Sequence, residues 1–522
     1  VIEANATLSG QVINVRSAKT WLLIACSVLL PWHWWCVSQD PWFRLPPKPV
    51  GDGPDYENIA FQLSRGAGWS IDWTDADWRA AYLDVAESLP QSAAHPESVP
   101  VDTSRTASAV KSSGYAAQLE RTDGWTPTTA RPPLLPALIA MAYRMVGRGP
   151  HGFAMTRWIL ATSLALAGAL AVAMTVQLAQ RLTSRAGFIS LAALATLALA
   201  CLDRTVRTYA TDFLTEPVAM LLLQLWLWCV GGMLGIWFVG PSSTASALRE
   251  RRCRTLATIA GCLLGLLIYT RSLMVLWLPG LWLVIACYGW ALSRVESQGS
   301  RQLCLQYWLL ATRMLLVCLL VCLPWWLRNC WVLGSGWPLG TQGSISLLGG
   351  YSDEAMAAHG EWQVAPEERL RSQLALTGRT AGLTLVAREV LVAAEAGRAS
   401  RAWAWQHAWQ LPLLALERAM TEWSPYTGRA LLWKLTAVCG LILLACRAPA
   451  AAWLLLGVLL VNTCTVMLLY SVGGRFLVPC YGVLYTLAGL GVLVIVQIWP
   501  LGARGDYWTS CPQAADTSEP IE

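Results

Sequence analysis

The strongest constraint on this chain is a series of long apolar runs separated by short connections that carry arginine. A helix that crosses a bilayer needs ~20 mainly apolar residues. Runs of that kind fall at about 20–36, 153–180, 186–202, 214–238, 256–270, 272–293, 306–326, 431–446, 450–470 and 476–498. No water-soluble core absorbs so many. The charge content agrees, because only 13% of residues are charged where soluble domains carry ~25%. The mean hydropathy is +0.45 and 30 residues are Trp, a side chain with an apolar body and one N–H donor that favours the membrane–water interface. The expected fold is therefore an all-α polytopic membrane protein, multi-pass in a cell membrane.

The net charge of +6 lies in short clusters between the apolar runs. It forms no basic face or tail of the kind nucleic-acid binding needs. Most of the 16 cysteines sit inside apolar runs, among them Cys262, Cys287, Cys318, Cys322, Cys439 and Cys464, where a thiol is a small buried hydrophobe. No Cys-x-x-Cys pair, zinc-spaced Cys/His set or His-Glu-x-x-His motif occurs. The reading requires neither metal nor cofactor.

The first run is preceded by Arg16 and Lys19 and lacks a small-x-small cleavage site, which reads as a signal anchor rather than a removed signal peptide. The apolar run Pro132 to Val146 is too short to span and carries Arg144. If it lies along the surface, Arg181/Arg185, Arg249/Arg251/Arg252/Arg254, Arg294/Arg301, Arg447 and Arg504 all fall on one side with the N-terminus. The positive-inside rule favours that arrangement. It gives about ten spans, cytoplasmic termini, outer juxtamembrane helices and an amphipathic helix over 132–146 in the outer interface. Residues 1–502 then form one transmembrane domain, with long outer loops at 37–131 and 327–430, and 503–522 form a polar cytoplasmic tail. The Ser/Pro/Ala-rich stretch 86–114 reads as a flexible insertion.

Polar residues concentrate at the outer ends of the spans. Asp52 and Asp55 lie in Gly51-Asp52-Gly53-Pro54-Asp55-Tyr56-Glu57-Asn58. One reading makes Asp52 a turn residue and Asp55 an N-cap acid; the other makes them carboxylates that face a lipid-linked substrate at the headgroup level. Asp203, Asp212 and Glu216 recur at the neighbouring outer ends, with Thr215 and Pro217 suited to start a helix. Arg271, Arg328 and Arg475 lie on the same side, against the positive-inside trend. Singly each is a snorkelling anchor; together they suit a phosphate, since guanidinium gives forked donors to its oxygens.

In these motifs the chain resembles the GT-C glycosyltransferases that use lipid-phosphate-sugar donors, the protein mannosyltransferase and aminoarabinose transferase relatives. The resemblance runs from Asp52 to about Tyr481. It rests on Asp52-x-x-x-Tyr56-x-x-Ile59-Ala60 with Gly66-x-Gly68-Trp69, on Arg131-Pro132-Pro133-Leu134, on Asp212 to Pro217, on Pro324-Trp325-Trp326-Leu327-Arg328-Asn329, and on Gly474-Arg475-Phe476-Leu477-Val478-Pro479. Many relatives have a second acid directly after the first, where this chain has Gly53; Asp55 is the candidate substitute.

The resemblance implies a polyprenyl-phosphate sugar donor, an acceptor that is a glycan, lipid or protein, and an outer-face site. There Asp52, with Asp55, does the acid–base work. Arg131, Arg271, Arg328, Arg475, Asp212, Glu216 and Tyr56 bind the substrate and its lipid phosphate. A membrane transporter or lipid flippase is the competing class. It would place ionisable groups near the bilayer midplane, whereas the candidates within spans are few, Arg313 and Lys434, both near span ends or easily snorkelled.

Overall fold

The computed structural model describes residues 15–48, 51–88, 121–237, 246–295, 300–334, 336–425 and 428–498. Most of the 86–114 insertion and all of the 503–522 tail lie outside them. The described residues are helical almost throughout. Nine of their helices are long and apolar enough to cross a membrane, or ten if one bent pair counts as a single span.

In chain order the first half of the bundle is α1 (Val15–Ser38), α5 (Pro150–Leu182), α6 (Ala186–Leu202) and α8 (Glu216–Met233). The second half is α9 (Ser246–Thr270), α10 (Trp277–Val295), α11 (Ser300–Leu333), α17 (Gly428–Arg447), α18 (Pro449–Leu468) and α19 (Tyr481–Ile498). α5 packs on α1, α6 and α8, α9 packs between α8 and α11, and α19 contacts both halves through α6 and α17. Large side chains such as Leu316, Leu320, Leu432, Val438 and Ile442 are exposed along the spans, which hydrocarbon tolerates and water does not.

The bent pair is the expected third span. α6 has 17 residues, about 26 Å at 1.5 Å per residue, just short of the ~30 Å hydrocarbon core. It stops at Asp203, and α7 (Arg204–Thr211) continues at 45°. Asp203 makes the break: its carboxylate accepts the Thr205 N–H at 2.9 Å and the Tyr485 hydroxyl at 2.8 Å. α11 departs from expectation in the other direction. It runs through Pro324 to Leu333, so Leu327 to Leu333 are helical rather than the start of the loop expected at 327–430. A proline inside a membrane helix is tolerated where neighbours satisfy the freed carbonyl.

The apolar run after Pro132 forms α4 (Leu134–Val146), 13 residues or about 20 Å long and too short to cross. It packs on α2 (Gly53–Ser64) and α5. Between α2 and α4 lie α3 (Ala76–Ser88) and a two-residue antiparallel ladder, β1 (Ser70–Ile71) on β2 (Thr126–Pro127). The second long segment folds as α12 (Gln342–Gly350), α13 (Asp353–Ala357), α14 (Ala365–Leu376), α15 (Leu385–Gln406) and α16 (Leu411–Trp423), with its own small core of Ile345, Leu348, Leu374, Val392, Ala393 and Ala396. α16 buries Arg418 and Glu422 on one face with Leu414, while Leu413, Leu416 and Met420 are exposed.

Two buried charges tie these pieces to the bundle. Arg157 of α5 donates to the carbonyls of Thr211, Phe43 and Leu45 at 2.9, 3.2 and 2.8 Å. That fixes the chain leaving α1 against the link into α8. Glu57 of α2 is fully buried and accepts from Trp78 Nε1 (2.5 Å), Tyr143 Oη (3.1 Å) and Arg148 Nε (2.8 Å). It holds α2, α3 and the α4–α5 link together. Removing one partner of a buried pair leaves the other charge uncompensated. Glu57→Ala is therefore expected to destabilise the protein by about 3–5 kcal/mol, read as a fall in thermal midpoint in detergent, with Arg148→Ala giving a similar loss.

Candidate active site

The start of α8, the end of α9 and the turn after α18 meet the two long segments around a cavity of about 800 Å³. Its lining includes Asp52, Asp55, Tyr56, Arg131, Arg271 and Arg475. Asp52 sits at the N-cap position of α2 and makes no side-chain cap bond. Asp55, expected as the cap, lies inside the first turn and turns to Arg131 instead. Gly53 has the Asp212 carbonyl 2.7 Å from where a Cβ would stand. A second acid directly after Asp52 has no room there, and the packing that excludes it also fixes the start of α2.

These residues form a run of alternating charge. Asp55 Oδ2 takes Arg131 Nε at 2.9 Å and Nη2 at 2.5 Å. Arg131 Nη1 reaches Asp52 Oδ1 at 2.8 Å, and Asp52 Oδ2 meets Arg475 Nη1 at 3.0 Å. Arg475 Nε pairs with Glu216 Oε1, which Arg271 Nη2 also approaches at 3.4 Å. Glu216 opens α8 and is fully buried, so it is a counter-ion beneath the cavity rather than a group that touches its contents. Arg121 adds a contact to Asp55 at 3.3 Å. Aromatic faces back two of the guanidiniums: Tyr56 lies 5.7 Å from Arg131 and Phe476 lies 4.7 Å from Arg271.

Charge sets the acidity. Burial alone raises the Asp52 carboxyl, but the Arg131 and Arg475 guanidiniums outweigh it and hold the group at about 2. The same surroundings push Tyr56 above its ordinary value, burial first and the Asp52 charge second. The Asp52 side chain keeps 24% of its surface exposed, so a cavity-bound molecule can reach it. The turn that delivers Arg475 uses positive φ at Gly473 (50°) and Gly474 (77°), where an L side chain would be strained.

Two expected members lie elsewhere. Arg328 does not line the cavity. Its Nη1 donates to the Thr128 carbonyl at 2.6 Å and its Nη2 to the Trp69 carbonyl at 2.8 Å, so it braces the chain beside the β1–β2 ladder and with it the approach to Arg131. Asp212 pairs with Lys48 at 2.9 Å, also off the cavity lining. The expected convergence of three arginines thus reduces to Arg271 and Arg475, joined by Arg131.

Sequence reasoning missed Glu389, which lines the cavity from α15, bonds the Thr341 hydroxyl and is raised by burial. Its signal was spacing: Glu389 shares a helix face with Val392, Ala393 and Ala396, which are buried. Asp123, Arg371, Arg388 and Trp362 complete that wall. Compared with family models, curated proteins and solved structures, the chain matches none.

The bracing role of Arg328 has a measurable consequence. Lys can reach only one of the two carbonyls, so Arg328→Lys is expected to lose about 1–3 kcal/mol of stability. Thermal unfolding in detergent checks this, with Arg271→Lys as the comparison that leaves the ladder untouched.

Proposed function

We propose that the protein is a membrane glycosyltransferase that moves a sugar from a polyprenyl-phosphate donor to an acceptor hydroxyl on the extracytoplasmic face, with inversion. The observation that carries this reading is the run Asp55–Arg131–Asp52–Arg475–Glu216–Arg271, all of whose members except Glu216 line a cavity whose size is typical of ligand sites. It supplies a base and phosphate-binding cations side by side at bilayer level, as the GT-C resemblance of the sequence motifs implies.

In this mechanism Arg475 and Arg271 turn from Glu216 and Asp52 toward the donor's phosphate. Asp52 takes the proton of the acceptor hydroxyl as that oxygen attacks the anomeric carbon. The new C–O bond forms opposite the breaking C–O bond to phosphate, and polyprenyl phosphate leaves carrying that bond's electron pair. The guanidiniums stabilise the charge that develops on the leaving oxygen.

The direct test supplies membranes bearing the protein with a panel of labelled polyprenyl-phosphate sugars and follows label into glycan, lipid or protein. Movement of label across the membrane without transfer would instead favour a transporter. Asp52→Asn is expected to lower turnover by ~10²–10⁴ while donor binding persists, because Asn keeps the size but takes no proton. Asp55→Asn is expected to cost less, since Asp55 serves through Arg131. Equal turnover in both variants and wild type would sink the assignment of Asp52.

The ion pairs also predict a pH signature. Asp52 sits at about 2 while Arg131 and Arg475 flank it. A phosphate that draws Arg475 away removes one cation, so the carboxyl rises in the complex. The acid limb of kcat is expected at higher pH than that of kcat/KM, which reports the free enzyme. Coincident limbs would show that Arg475 stays on Asp52 throughout.

A further inference from the structure

Glu422 of α16 is fully buried and lies outside the cavity lining. Its Oε1 accepts the Leu477 N–H at 2.6 Å and its Oε2 accepts the Ser471 hydroxyl at 2.8 Å. Those partners are the two feet of the turn that carries Arg475. Between them the backbone passes through Gly473 and Gly474, both at positive φ, which impose little conformational restraint of their own. One turn earlier on the same helix face, Arg418 donates to the carbonyls of Met467 and Gly350 at 3.0 and 2.7 Å. That fixes the end of α18 just before the turn. Ser471 is further held by backbone bonds with Gly360 and Trp362.

A buried carboxylate is a costly way to close a turn, and here burial raises the group above the usual carboxylate range while the two bonds oppose that rise. It ties together the two ends of a turn that also closes on itself, Arg475 N–H on the Val472 carbonyl and Leu477 N–H on the Gly474 carbonyl, and a phosphate site needs the backbone that presents its guanidinium held in place.

We propose that Glu422 is a positioning residue that clamps the backbone of the 471–477 turn so that the Arg475 side chain is presented beside Asp52 and Glu216, within reach of the donor's phosphate, and thereby sets affinity for that phosphate without touching it. This rests on the transferase reading for the phosphate, but the clamp itself does not. It also makes the second long segment, through α16, part of the site's machinery.

Two measurements on the full chain in detergent test it. The first is binding of a polyprenyl monophosphate. Glu422→Ala is expected to weaken it at least tenfold. Glu422→Gln, which keeps a carbonyl for the Leu477 N–H and an amide for Ser471 Oγ, is expected to stay within about threefold of wild type. Ser471→Ala, which loses one foot and keeps the other, is expected between them. The second measurement needs no ligand: the rate at which phenylglyoxal modifies Arg475, read by mass spectrometry. Glu422→Ala is expected to speed it several-fold, and Glu422→Gln to leave it near wild type.

If wild type binds no polyprenyl phosphate, the transferase reading falls, and the modification rates still decide the clamp. Unchanged Arg475 reactivity in Glu422→Ala overturns the proposal, as does binding that falls only in proportion to folded protein. If Glu422→Ala does not fold, unchanged reactivity in Ser471→Ala overturns it.

Discussion

A charged side chain packed among apolar helices is stable only beside its opposite or inside a cage of hydrogen bonds, because the medium around it screens so little. The site obeys this by alternation. Asp52 lies between Arg131 and Arg475, and Arg475 lies between Asp52 and Glu216. Its members are brought by five parts of the chain: the start of α2, the segment before α4, the start of α8, the end of α9 and the turn after α18. The charge pairing therefore acts as a tertiary restraint as well as a chemical resource.

Most of the fold was legible in the sequence, since spans announce themselves by length and apolarity. The limits came from single residues. Asp203 breaks α6 because its carboxylate finds the Thr205 N–H and the Tyr485 hydroxyl, and no local pattern contains Tyr485. The span read at 306–326 contains Pro324, and α11 runs on past it to Leu333, because tertiary packing overrides the local signal.

The site was legible by sidedness alone. Sequence placed Arg271, Arg328 and Arg475 at the same ends of the spans, but not which way they point. Arg328 spends its donors on the Thr128 and Trp69 carbonyls, and Glu57 and Glu422 spend their acceptors on groups far away in sequence. Such roles depend on contacts that only the folded chain creates. α16 gave the clearest unread hint. Arg418 and Glu422 recur with Leu414 at a spacing of four on the buried face, and Leu413, Leu416 and Met420 are exposed on the other, which is not the pattern of a helix that faces water.

The β1–β2 ladder is two residues long on each side, yet it joins Ser70–Ile71 to Thr126–Pro127 and so closes off everything between them in sequence. Arg131 follows directly on the closed side, steadied by the hold of Arg328 on Thr128. The distance from Asp52 to Arg131 in space is thereby uncoupled from their distance along the chain. Lengthening a closed loop costs only a logarithmic entropy, so the link between α3, which Trp78 ties to Glu57, and Arg121 is a place where this protein can gain sequence, or carry an inserted module, with its charged floor left in register.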